Sequence, residues 1–123
     1  GTCYSCQSQL VGCAYCNSSS ICTNCLSGYY LGSNVCNLCS SIEGCTLCSS
    51  SSNCSDCSSG YTLSGITCVL CSTQITNCVY CVNSSSCVQC AAGYYLNAGA
   101  CTTCSTAIIG CIYCSNSTQC NQC

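Results

Sequence analysis

The chain has no lysine, arginine or histidine, and Glu43 and Asp56 are its only acidic side chains. Without a cation nothing can neutralise phosphates, so nucleic acid is not expected as a partner. Anionic lipid head groups are set aside on the same ground. General acid–base chemistry needs His, Lys or paired carboxylates, and Glu43 and Asp56 stand singly, without counterparts in the rest of the chain. Serine is plentiful, but no base is present to activate it, and two carboxylates are too few for a calcium cage. These absences point away from an enzyme: no catalytic residue, cofactor, metal site or small-molecule substrate is expected. Phenylalanine, tryptophan, methionine and proline are missing too. No stretch approaches the roughly 20 apolar residues of a membrane span, and none is expected. No signal peptide is visible, and with Gly1 in first place the chain reads as a mature or excised piece of something longer.

What the chain does have is cysteine, 24 in 123 residues, all of it in CxxC pairs. The organising stretch runs from Cys36 to Cys57, CNLCSSIEGCTLCSSSSNCSDC, with pairs Cys36/Cys39, Cys45/Cys48 and Cys54/Cys57. The tail SSGYTLSGIT follows, and the next triplet of pairs opens at Cys68. Triplets begin at Cys3, Cys36, Cys68 and Cys101, so the period alternates between 33 and 32 residues. A fixed period of this kind signals a repeat architecture. The repeats are residues 3–35, 36–67, 68–100 and 101–123, the last truncated before its tail. Units this small cannot bury an ordinary hydrophobic core and need covalent staples. The interior is therefore expected to be sulfur, with thin contributions from Leu, Ile, Val and Tyr.

Cysteine this dense in such small units points to disulfides and an oxidising compartment, extracellular or at the cell surface. The rival reading is zinc, because CxxC pairs are also the knuckles of all-cysteine zinc sites. Each four-thiolate zinc centre carries about two net negative charges, and no basic residue here could offset them. That balance favours disulfides over metal. A thioredoxin-type motif fits worse still, since no βαβ pattern surrounds any pair and no group is present to activate a thiol.

Three further features recur. Before the second pair of each unit an aliphatic residue precedes Gly or Asn: Val11-Gly12, Ile42 two before Gly44, Ile75 two before Asn77, and Ile108 two before Gly110. Gly or Asn there predicts a backbone position with positive φ. Inside the second pair sits Tyr15, Leu47, Tyr80 or Tyr113, read as a lid over the sulfurs. The tails carry Gly-Tyr, then Tyr or Thr, then Leu, at residues 28–31, 60–63 and 93–96, followed by Gly and Asn turn residues. That pattern predicts a short β-hairpin. No segment has helical periodicity. The expected fold is a small disulfide-rich repeat protein, an elongated rod of four tandem units with short β-hairpins and almost no helix.

The spaced CxxC pairs and the Gly-Tyr-x-Leu tail resemble the furin-like cysteine-rich repeats of growth-factor-receptor ectodomains and R-spondins. In texture they are closer still to CxxC-rich surface proteins of ciliates and of Giardia. The similarity covers the whole chain; it is specific for architecture and weak for function. Spacing alone does not fix connectivity, and bonds within each CxxC are the alternative. The resemblance implies a pairing, first cysteine to third and second to fourth, with the next two closing a hairpin. Carried over, it gives Cys6–Cys16, Cys13–Cys22 and Cys25–Cys36, then Cys39–Cys48, Cys45–Cys54 and Cys57–Cys68. It continues with Cys71–Cys81, Cys78–Cys87 and Cys90–Cys101, and ends with Cys104–Cys114 and Cys111–Cys120. Under this pairing Cys25–Cys36, Cys57–Cys68 and Cys90–Cys101 each tie one unit to the next. Cys3 and Cys123 are left over, for bonding to adjoining repeats of a longer array or to other copies of the chain; two free thiols are the alternative.

Four N-x-Ser/Thr sequons, at Asn17, Asn53, Asn83 and Asn116, fall at or near the loop between the second and third pairs. They are read as N-glycosylation sites, with covalent glycans hydrating an almost uncharged surface; chance in an Asn/Ser-rich sequence is the competing explanation. The functional expectation is a structural, glycosylated extracellular rod of a surface coat or filament. The alternative is a recognition module, an adhesin or receptor ectodomain made from the same repeats.

Overall fold

The computed structural model describes residues 3–123. Among them the chain forms fourteen short strands and a few single helical turns, in the same order in each repeat. The first repeat shows the pattern. One turn of helix, α1 (Cys6–Gln9), leads into strands β1 (Cys13–Ser18) and β2 (Ile21–Cys25). The tail hairpin β3 (Tyr29–Gly32) and β4 (Val35–Leu38) follows. The second repeat has a 3-10 turn at Cys39–Ser41, then β5 (Cys45–Ser50), β6 (Asn53–Cys57), β7 (Tyr61–Ser64) and β8 (Thr67–Leu70). The third has α2 (Cys71–Gln74), β9 (Cys78–Asn83), β10 (Ser86–Cys90), β11 (Tyr94–Asn97) and β12 (Ala100–Thr103). The fourth has α3 (Cys104–Ala107), β13 (Tyr113–Asn116) and β14 (Gln119–Gln122). Every strand pairs only with its sequence neighbour, giving seven two-stranded sheets. The chain divides into two compact units, Gly1–Ser58 with Gly65–Cys68, and Ser59–Ser64 with Val69–Cys123.

Each helical turn starts at a cysteine and is closed by a hydroxyl. Ser8, Ser41, Thr73 and Thr106 donate to the carbonyl three residues back, at 2.7–2.8 Å. The turn cannot extend, because the next residues enter a β-turn. The N–H of Cys13, Cys45, Cys78 and Cys111 donates to the carbonyl of Leu10, Ile42, Ile75 and Ile108 respectively, at 3.0–3.2 Å. The residue before each of these cysteines, Gly12, Gly44, Asn77 or Gly110, has φ between +62° and +80°. This is the turn position where a β-carbon is penalised and Gly or Asn is favoured. The aliphatic residue opening the turn in the first repeat is thus Leu10; Val11, read above as its counterpart, is 77% exposed.

The segments between the second and third pairs, read above as loops, are antiparallel hairpins. Their register is irregular, with shifts on either side of the Cys16↔Cys22, Cys48↔Cys54 and Cys87↔Cys81 pairs. The tail hairpins β3/β4 and β11/β12 are in clean register instead. Each tail hairpin pairs a strand ahead of a repeat boundary with one behind it, so Cys36, Cys68 and Cys101 lie in second strands of tails.

The core is sulfur. Among the described residues ten of the eleven buried hydrophobic side chains are cysteines, and the eleventh is Tyr95. In the first unit Cys39, Cys45 and Cys54 cluster with Tyr30 and Ile42 against them. In the second, one cluster holds Cys71, Cys78 and Cys87 with Ile75, and another holds Tyr95, Cys104 and Cys111 with Ile108. Tyr15, Leu47, Tyr80 and Tyr113 are not lids: they are 38–68% exposed. At those positions the backbone carbonyl faces the sulfurs and the side chain points to solvent. The lids are tail residues.

Candidate functional site

The chemistry that the fold concentrates is that of its sulfurs. Eleven disulfides join Cys6–Cys16, Cys13–Cys22, Cys25–Cys36, Cys39–Cys48, Cys45–Cys54 and Cys57–Cys68, then Cys71–Cys81, Cys78–Cys87, Cys90–Cys101, Cys104–Cys114 and Cys111–Cys120. These are the same partners that the resemblance implied, and none closes within a CxxC pair. Hairpin geometry accounts for that. In the irregular hairpins Cys16 faces Cys22 but bonds to Cys6 of the preceding helical turn. Cys22 bonds sideways to Cys13, leaving Cys25 for the tail.

Three sulfur clusters result: Cys13, Cys22 and Cys36; Cys45, Cys54 and Cys68; Cys78, Cys87 and Cys101, the sulfurs of each within 4.8 Å of one another. In each, two cystines touch without being bonded. The Sγ atoms of Cys22 and Cys36, of Cys54 and Cys68, and of Cys87 and Cys101 are 3.3–3.5 Å apart. Backbone carbonyls line the other side. The Cys13 sulfur lies 3.0 Å from the Tyr15 oxygen, and the Cys22 sulfur lies 3.1 Å from the Asn24 oxygen. The same contacts recur at Cys45 and Cys54, and at Cys78 and Cys87, at 3.0–3.2 Å. A disulfide sulfur carries no hydrogen, so these are sulfur–carbonyl contacts. With every cluster sulfur in a disulfide, none is a thiolate, the form that ligates metal; only reduction would present three thiolates together.

Among the described residues Cys3 and Cys123 lie outside disulfides, and both are exposed. The Cys123 sulfur is 3.9 Å from that of Cys120. The carboxylates are exposed and lie on different elements, Glu43 in the turn before β5 and Asp56 in β6. Asp56 Oδ1 accepts the N–H of Cys57 at 3.0 Å.

All four sequon asparagines are exposed at hairpin tips, but not equivalently. Asn83 and Asn116 close Asx turns. Asn83 Oδ1 accepts both the N–H and the hydroxyl of Ser85 at 3.0 Å, and Asn116 Oδ1 accepts both from Thr118 at 2.9 Å. Asn17 lies inside β1 and Asn53 opens β6 across the turn. Next to Asn53, Cys54 is buried in a disulfide and the Ser55 hydroxyl donates to the Leu47 carbonyl at 3.1 Å.

No helix among the described residues is long and apolar enough to cross a membrane. Repetition, cystine cores and paucity of helix make this a disulfide-rich repeat protein, a construction compatible with an extracellular structural or receptor-like protein. No family model matches the chain, and no curated protein matches it.

Proposed function

We propose that the chain is a structural, glycosylated extracellular protein of a surface coat or filament, joined to adjoining repeats or further copies through Cys3 and Cys123, with no catalytic role. The observation that carries this reading is the disulfide at each repeat seam. Cys25–Cys36, Cys57–Cys68 and Cys90–Cys101 bridge successive repeats in the same way, so the covalent pattern can continue through any number of units. Absence of Lys and Arg supports it as well, because trypsin-like proteases find no cleavage site. Sugar at Asn17, Asn53, Asn83 and Asn116 would hydrate a surface that otherwise invites association.

The second reading, a recognition ectodomain, draws on one local asymmetry. The β9/β10 hairpin exposes Val79, Tyr80, Val82 and Val88, where β5/β6 carries Thr46, Leu47, Ser49 and Ser55. Electron microscopy of native material, with mass mapping of its disulfides under non-reducing conditions, separates the two. Regular fibres with Cys3 and Cys123 in intermolecular or inter-repeat bonds are the expected result. Discrete particles with both thiols free would overturn it.

A further inference from the structure

Among the described residues three of the four cystine hairpins carry a tail strand on one face, and the first does not. In the second repeat Tyr30 packs on the cluster of Cys39, Cys45 and Cys54. In the fourth Tyr95 packs with Cys104 and Cys111. In the third the same seat is taken by Thr62, which is buried and donates its hydroxyl to the Val82 carbonyl at 3.5 Å. Each tail also supplies a glycine carbonyl: Gly28, Gly60 and Gly93 accept the N–H of Cys39, Cys71 and Cys104, each at 2.9 Å. Beneath these tails Cys39, Cys71 and Cys104 have 0% exposure.

Cys6 holds the equivalent position in the first repeat, yet it is partly exposed, and its N–H has no such acceptor among the described residues. Where a tail strand would lie there is a cavity of about 540 Å³, lined by Tyr4, Ser5, Gln9, Cys16, Asn17 and Ser18 among others. The repeat places Asn17 where Val82 stands, the residue whose carbonyl meets Thr62. It places Tyr4 where Asn37 and Thr102 stand, the residues that pair with Tyr30 and Tyr95. Finally, Cys3, at the position of Cys36, Cys68 and Cys101, is an exposed thiol. Among the described residues, then, nothing fills the groove, accepts from the Cys6 N–H or bonds to the Cys3 sulfur.

We propose that this face of the first repeat is an acceptor for a strand of Cys-x-x-Gly-Tyr-(Tyr/Thr)-Leu chemistry presented by another repeat unit of the same type. The strand lies beside Tyr4 by β-augmentation, where main-chain bonds give affinity and a side-chain pocket gives specificity. Its residue two after the glycine covers Cys6–Cys16, its glycine carbonyl takes the Cys6 N–H, and its cysteine bonds to Cys3. The spacing is the one already used three times: the tail cysteine lies 11 residues before its partner in Cys25–Cys36, Cys57–Cys68 and Cys90–Cys101. This deepens the joined-repeat reading by naming the receiving face, and it stands or falls separately from fibres. Failure of capture at Cys3 leaves a coat role intact, and absence of fibres leaves the capture intact.

The test uses the oxidised full chain and a peptide with the sequence of residues 25–34, CLSGYYLGSN, its cysteine held as a mixed disulfide with glutathione. The Cys3 thiol gives its proton to solvent, and the thiolate attacks the peptide sulfur. The Cys3–peptide S–S bond forms, the peptide–glutathione bond breaks, and glutathione leaves as thiolate with no net oxidation. Cys123, also exposed, is the internal control, and a peptide with both tyrosines replaced by serine is the second. Capture at Cys3 is expected to run about tenfold or more faster than at Cys123, because docking raises the local concentration. The serine peptide should lose that preference. Equal capture at the two thiols, or of the two peptides, would overturn the proposal. In a Cys3→Ser chain, which breaks no disulfide, the tyrosine peptide should still slow hydrogen exchange at the Cys6 amide. Unchanged exchange there, or slowing by N-acetylglucosamine instead of the peptide, would equally defeat it.

Discussion

The molecule contains two kinds of β-hairpin, and they are held together by opposite means. Cystine hairpins such as β9/β10 have broken register, exposed apolar side chains and a sulfur interior. Tail hairpins such as β11/β12 have unbroken register and owe their place to an aromatic side chain seated on the next sulfur cluster. An isolated two-stranded hairpin is marginal in water. Covalent closure lets the first kind ignore side-chain alternation, while the second must satisfy turn geometry and burial. Residue identity should therefore matter little across the cystine hairpins outside their cysteines, and a great deal at a few tail positions.

The largest expected effect is complete reduction. Each disulfide closes a loop of about ten residues, for which the chain-entropy model gives roughly 2.5–3 kcal/mol, against ordering costs of about 1.5 kcal/mol per residue. Reduced chain should lose both kinds of hairpin together, measured as global loss of amide-exchange protection. Tail hairpins that keep their protection would break the comparison. Next in size is removal of one cystine. Replacing Cys78 and Cys87 with alanine takes away a buried disulfide and should cost about 2–5 kcal/mol, read from denaturant unfolding.

Tyrosines sharpen the contrast. Tyr95 is 8% exposed in a tail and Tyr80 is 43% exposed in a cystine hairpin. Tyr95→Ala should cost about 3–5 kcal/mol, as aromatic truncations in cores do, and Tyr80→Ala less than about 0.5 kcal/mol. Comparable losses in denaturant midpoints would show that the two hairpins share one packing logic after all.

How much of this was legible beforehand follows the same division. The repeat, the sulfur core, the tail hairpins and the positive φ before each second pair were all written in residue types at fixed spacing, because glycine, asparagine and cysteine carry their constraints locally. The disulfide partners were legible only through the resemblance. Neither spacing nor propensity shows that Cys16 faces Cys22 across a hairpin yet bonds to Cys6. The cystine hairpins themselves were missed since their tips are serine-rich and their strands lack alternation, the two signals by which a hairpin is read. Tyr15, Leu47, Tyr80 and Tyr113 read as lids because a large side chain inside a CxxC pair stands next to sulfur in the sequence. Whether the carbonyl or the side chain turns inward depends on the register shifts, which no local pattern announces. Single helical turns left one usable trace, the hydroxyl residue two after each first-turn cysteine, Ser8, Ser41, Thr73 and Thr106.

A loss smaller than that of Tyr95→Ala separates backbone conformation from space in a tail. Gly93 has φ +86°, and a β-carbon built there meets nothing closer than the Ile112 carbonyl oxygen at 3.6 Å, an ordinary contact. Steric room is thus available, and the penalty of Gly93→Ala comes from holding an L-residue in the left-handed region, about 1–2 kcal/mol. The Gly93 carbonyl accepts the Cys104 N–H at 2.9 Å, so relief of strain by rotating the peptide would loosen the tail from the sulfur cluster it covers. Gly93→Asn, whose side chain tolerates this region, should recover part of the loss. An alanine variant as stable as the parent in denaturant titration would mean that the tail can move without uncovering Cys104, and the tail would then be a passenger on the cystine hairpin instead of its cover.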